Sequence, residues 1–186
     1  MTKKIIWIII PIFILFVAVL LIILNNNISA RLLWWGISFD TFSFKLVSFT
    51  KDKTSFSQVE KLQAIYGETK VFIDKTEIED HGKYIKDKKF LLESLFLPTT
   101  SPYPEVITNV IECPEEFKPK ARNVENGTVY TLFAGERYNY GVCAPDLVKF
   151  NSLYGIFDCN RKGIFEIRLF SEDKGKIENI MKSFKC

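Results

Sequence analysis

The sequence predicts an α+β protein, an N-terminal transmembrane helix followed by one domain with a mainly antiparallel sheet and helices packed on one face. Three observations carry that expectation. Residues 5–24 form one uncharged apolar run, Ile164 to Phe170 alternate apolar and charged side chains after a turn, and an amphipathic helical stripe closes the chain.

The run IIWIIIPIFILFVAVLLIIL holds no charge and no side-chain amide, and at about 1.5 Å per helical residue it covers about 30 Å, the thickness of a bilayer's hydrocarbon core. Pro11 is expected only to kink it. Lys3 and Lys4 precede the run, whereas Asn25, Asn26 and Asn27 follow it and Arg31 is the first downstream charge. This asymmetry leaves residues 1–4 in the cytoplasm and sends the remainder across, to the periplasm or the exterior. A cleaved signal peptide usually has an apolar region of about 7 to 15 residues and a small-residue cleavage site. Ile28-Ser29-Ala30 fits such a site poorly, so a retained signal-anchor of a single-pass membrane protein is the expectation. Residues 25–37 read as a juxtamembrane segment in which Trp34 and Trp35 suit either the outer membrane interface or the start of a core, and residues 38–186 read as the extracytoplasmic domain.

Within that domain Phe42, Phe44 and Leu46 repeat at period two, giving a strand over 38–49. Ser57 with Glu60 has capping-box spacing, Phe56, Val59, Leu62 and Ile65 repeat at helical spacing, and Gly67 is placed to end a helix. A short strand is expected over 70–73, then an acidic loop with Asp74, Glu77, Glu79 and Asp80, then a second helix over 84–97 stopped by Pro98. PTTSPYP, with Tyr103, reads as an extended loop, and 105–113 as a strand followed by a polar connector with Pro114, Pro119 and Asn126-Gly127. Residues 128–134 and 137–143 look like a hairpin about Gly135-Glu136.

The C-terminal unit is the most legible. Strands over 153–158 and 164–170 flank the turn Asn160-Arg161-Lys162-Gly163, with Phe165, Ile167 and Leu169 facing a core and Glu166 and Arg168 facing water. Ser171 is expected to cap a last helix whose Ile177, Ile180, Met181 and Phe184 share one stripe. The ending from Ile180 to Phe184 is similar to the tail of PsbP-like domains over a small part of the chain, and it implies nothing about activity.

All 22 acidic residues follow residue 24, facing 23 of the 25 basic ones, so the displayed part is nearly neutral at +1. Its lysines are interleaved with acids, as in TKDKT and IKDKKF, which argues against nucleic acid as a partner. The bias toward Lys, Ile and Asn suggests a bacterial source. Cys113, Cys143, Cys159 and Cys186 all lie in the exported part, where two disulfides are the natural outcome. No pair has the close spacing of a zinc site, and no metal or cofactor is expected. A strand from Ile164 to Phe170 climbs roughly 23 Å, and a helix back to Phe184 returns roughly 20 Å. The chain end then arrives beside the turn, so Cys159 pairs with Cys186 and Cys113 with Cys143.

The motifs of serine hydrolases, phosphate loops, zincins and EF-hands are missing from the sequence. His81, in EDHGK, reads as a solvated histidine. The functional expectation is a non-catalytic binding or accessory domain contacting an envelope protein or surface component, with Tyr103, Arg137, Tyr138 and Tyr140 as candidate surface residues. The competing expectation is an exported hydrolase using carboxylates of the 74–80 loop.

Overall fold

The computed structural model describes residues 28–40, 42–54, 57–94, 119–134 and 150–186. The expected span 5–24, the loop 98–104, the strand 105–113 and the arm 137–143 lie outside the described residues, together with Cys113, Cys143, Tyr103, Arg137, Tyr138 and Tyr140. Among the described residues no helix is long and apolar enough to cross a membrane.

In chain order the elements are α1 (Ile28–Trp35), β1 (Ser38–Phe39), β2 (Lys45–Lys53), β3 (Gln58–Tyr66), β4 (Thr69–Glu77), α2 (His81–Ser94), β5 (Lys120–Val124), β6 (Gly127–Ala134), β7 (Phe150–Asp158), β8 (Ile164–Ser171), α3 (Lys174–Lys182) and β9 (Phe184–Lys185). Seven strands make one antiparallel sheet in the order β2-β3-β4-β8-β7-β6-β5, and β1 pairs with β9 in a separate ribbon. The sheet is thus two meanders, β2 to β4 and β5 to β8, joined where β4 pairs with β8. A mainly antiparallel α+β architecture is present.

The helices lie on both faces of the sheet rather than one. Leu62, Ala64, Val71, Ile73, Phe165, Ile167 and Leu169 point to one face and share a core with α1 and with Ile177, Ile180 and Met181 of α3. Tyr130, Leu132, Tyr154, Ile156 and Ile164 point to the other, where Tyr84, Ile85 and Leu92 of α2 cover them. The reason is alternation: β7 and β8 are largely buried on both faces, and each face needs its own cover. Each fully buried Leu, Ile or Phe contributes about 1.5–3 kcal/mol.

Residues 58–66 form a strand, not the expected helix. Leu62 and Ala64 are buried on one face, while Val59 and Ile65 are half-buried on the other. Ser57 closes the β2–β3 turn instead of capping a helix, its N–H donating to Thr54 Oγ1 at 3.1 Å. Gly67 has φ +59° in the tight turn between β3 and β4, a left-handed conformation that hairpin turns and helix ends both require. The short strand expected over 70–73 extends from Thr69 to Glu77, so Asp74 and Glu77 belong to β4 and the acidic loop is shorter than expected. Asn126-Gly127 does not belong to a connector: Glu125 and Asn126 form the β5–β6 turn, and Gly127 opens β6, which pairs with β5 and β7.

The C-terminal unit follows the expectation closely. β7 and β8 flank a single 3-10 turn at Asn160–Lys162, and Cys159 and Cys186 are disulfide-bonded. Two details differ. The N-cap of α3 is Asp173, whose side chain accepts from Lys176 N at 3.0 Å, while Ser171 Oγ accepts from Asp173 N at 3.2 Å. The helix ends at Lys182, so Phe184 enters β9 and packs on Phe157 and Phe39 at ring distances of 4.4 and 5.4 Å.

Segment 28–37 is an integral part of the packed unit. Ile28, Leu32 and Trp35 recur at helical spacing and are buried, and Trp35 Nε1 donates to Glu60 Oε2 at 2.6 Å. Arg31 lies over the Phe49 ring at 3.5 Å, covering apolar surface with its guanidinium.

Candidate functional site

The two meanders meet where β4 and β8 pair, and this join carries the densest set of interacting polar side chains on the α2 face. Asp74 on β4 stands directly opposite Glu166 on β8. Two like charges at such positions repel unless each is compensated. Asp74 Oδ2 accepts from Arg168 at 2.7 Å, and the Arg168 guanidinium also lies 5.4 Å from the Phe72 ring. Glu166 accepts from the hydroxyls of Tyr84 on α2 and Tyr154 on β7, and from Lys88 Nζ at 3.2 Å.

Glu166 is only 4% exposed, which corrects the expectation that it faces water. Its strand position is the outward one relative to α1 and α3, but α2 covers that face. Tyr84 and Lys88, four residues apart on α2, reach it together, and Thr76 Oγ1 stands 3.4 Å from the Tyr84 hydroxyl. Burial and then the Glu166 charge push the Tyr84 phenol above its ordinary range. Burial alone would lower the Lys88 ammonium, but the charges of Glu166 and Tyr84 and the hydrogen bonds to both together outweigh it, and the net direction is upward. Burial raises the Asp74 carboxyl against the opposing pull of Arg168.

Chemically this arrangement is a latch. A carboxylate offers about four lone-pair positions, and three donors from two different elements occupy three of those of Glu166. An acid or base acting on a substrate needs a free lone pair or proton within reach of it. What the cluster can do is fix α2 to the β7–β8 strands through charge-assisted hydrogen bonds.

The acids of 74–80 do not come together. Asp74 points to the α2 face with its Arg168 partner, whereas Glu77 points to the opposite face and pairs with Lys75 at 2.6 Å. Asp80 Oδ1 accepts from Lys83 N at 2.8 Å as a cap of α2, and Glu79 is exposed. His81 is not simply solvated: its Nδ1 donates to Asp158 Oδ1 at 2.8 Å, tying the start of α2 to the end of β7. Among the described residues no group of three His, Cys, Asp or Glu side chains is arranged to hold a metal.

On the opposite face a groove of about 350 Å³ runs between α3 and the β5–β6 edge, floored by Val129, Phe157, Met181 and Phe184. Arg122 forms an ion pair with Glu178 at its side. Of the residues singled out by sequence, Cys159 and Cys186 are brought together. The Glu166 cluster was missed; its one sequence signal is the pair Tyr84 and Lys88 at helical spacing, facing a charged position inside a largely apolar strand.

Compared with known proteins, the chain matches no family model, no curated protein and no solved structure.

Proposed function

We propose that the chain is a single-pass membrane protein, held by residues 5–24 with its N-terminus in the cytoplasm, whose domain stands outside the cytoplasm as a non-catalytic binding or accessory module. Its partner is another envelope protein or a surface component. The observation that carries the compartment is the Cys159–Cys186 disulfide, because such bonds persist in oxidising surroundings and the uncharged N-terminal run supplies the route there.

Two features favour recognition over catalysis. The buried carboxylate Glu166 is taken up by Tyr84, Tyr154 and Lys88, and the acids of 74–80 are divided between opposite faces. Surface lysines engage acids, as in Lys51–Glu60, Lys61–Asp52 and Lys83–Asp87, leaving a mixed surface unlike a phosphate-binding face. Protease added to spheroplasts should digest the domain and leave a membrane-bound N-terminal fragment. A protected domain would reverse the orientation, and a mature chain beginning near Ser29 would remove the anchor. Cross-linking in the native membrane, followed by identification of the joined peptide, then tests the binding role.

A further inference from the structure

Helix α1 separates its two tryptophans completely. Trp35 is 2% exposed in the core, whereas its neighbour Trp34 is 87% exposed and Leu33 is 78% exposed. Leu33 and Trp34 occupy the side of α1 turned away from Ile28, Leu32 and Trp35, and that outward side carries no charge, because Arg31 is folded over Phe49. Large apolar residues exposed together on a short helix call for an occupant.

The position of α1 in the chain names it. Residues 25–27 alone separate the apolar run from Ile28, and three residues reach at most about 11 Å. The headgroup layer on each side of a bilayer is about 5–8 Å thick. Helix α1, about 12 Å long, therefore starts within or just above the headgroups. Tryptophan is the side chain best suited to that layer, with an apolar ring body and one N–H for the wet side. At the other end of α1, Lys162 Nζ donates to the Gly36 carbonyl at 2.7 Å, and Arg161 beside it is exposed. The Lys162 ammonium thus stands at the end of α1 that carries Leu33 and Trp34, where it can meet headgroup phosphates.

We infer that α1 lies along the outer leaflet with Leu33 and Trp34 in the lipid headgroup and upper acyl region, so that the membrane surface is the occupant of this face and fixes the orientation of the domain. The inference rests on the anchor reading above and adds to it a second, peripheral lipid contact.

The full chain carrying Trp7→Phe, reconstituted in mixed phosphatidylcholine and phosphatidylglycerol vesicles brominated near the top of the acyl chain, retains Trp34 and Trp35 as its only indoles. Bromolipid should remove about half of its emission, since one indole faces lipid and the other is in the core. Trp34→Phe in the same background should abolish that quenching while the disulfide and circular dichroism stay unchanged. Chain that stays in carbonate-washed vesicles but is not quenched, or is quenched equally without Trp34, overturns the lipid contact and leaves the anchor standing. Chain stripped from the vesicles by carbonate overturns the anchor itself, and the contact with it.

Discussion

Tyr154 on β7 donates its phenolic hydrogen to Glu166 on β8 along a buried diagonal of the sheet, and the same carboxylate holds Tyr84 and Lys88 of α2. Removing the carboxylate strands a lysine and two phenols at once. Glu166→Ala should cost about 3–5 kcal/mol, and Tyr154→Phe about 1.5–3 kcal/mol. Urea unfolding followed by far-ultraviolet circular dichroism measures both. A Tyr154→Phe variant as stable as the parent would show that the hydrogen bond adds nothing net.

Closing a loop of 27 residues between Cys159 and Cys186 restricts the unfolded chain by about 3 to 4 kcal/mol. Cys186→Ser should lower stability by about that amount. It should also fray α3 and β9 and expose Cys159 to alkylation. Hydrogen exchange in α3 no faster than in the parent would contradict this account of what the bond secures.

Tyr130 is buried, and its hydroxyl donates to Glu93 at 3.2 Å. Burial first, and then the Glu93 charge, push its phenol up to about 12. The folded chain therefore holds a proton that the unfolded chain releases near pH 10. The stabilising contribution is complete below about pH 10 and is lost as pH rises through about 12. Tyr130→Phe should flatten that alkaline decline, and ultraviolet titration of tyrosinate should lose a component near pH 12. A decline equally steep in the variant would place its cause elsewhere.

Glu60 behaves in the opposite sense. Burial alone would raise its carboxyl, but hydrogen bonds from Lys51 and Trp35, with the charges of Lys51 and Lys75, bring it below the ordinary value. Its contribution is present above the unfolded value, about 4.3, and is lost as pH falls through the lower folded value. The stability difference between the parent and Glu60→Gln should shrink below about pH 4. A difference that stays constant down to pH 2 would separate the carboxylate from the ion pair with Lys51.

The β7-turn-β8-α3 unit was legible because strand alternation, the turn residues and the α3 stripe all agree locally, and the geometry of strand and returning helix was enough to pair Cys159 with Cys186. Strand β3 was not. Its Val59, Leu62 and Ile65 mimic helical spacing because both of its faces are partly covered, and Ser57, Glu60 and Gly67 each serve turns and strands as readily as helix ends. Glu166 reads as water-facing for a related reason. The alternation of β8 reports two faces, but which face is wet depends on α2, a segment 70 to 85 residues earlier whose docking leaves no mark in β8 itself.

Gly155 on β7 shows how closely α3 sits: a Cβ there would lie 2.4 Å from Phe157 Cε2 and 3.0 Å from Met181 Sδ. Gly155→Ala should cost about 1–3 kcal/mol through overpacking, read as a lowered thermal midpoint. An unchanged midpoint would mean that the Phe157 ring yields without strain.

The join between the meanders also governs when the chain can fold. Asp74 and Arg168, which meet across β4 and β8, are 94 positions apart in sequence, yet β8 is the central strand of the sheet. As the chain is delivered N-terminus first, β2 to β4 form a local unit whose β4 edge has no neighbour, and β5 to β7 form another. Neither unit gains its central neighbour until residues 164–171 arrive, so the β4 and β7 edges stay unpaired until then. Chains truncated before Ile164 should be digested rapidly in pulse proteolysis, and protease resistance should appear only once Ser171 is included. Folding here is a late, all-at-once event set by the last central strand.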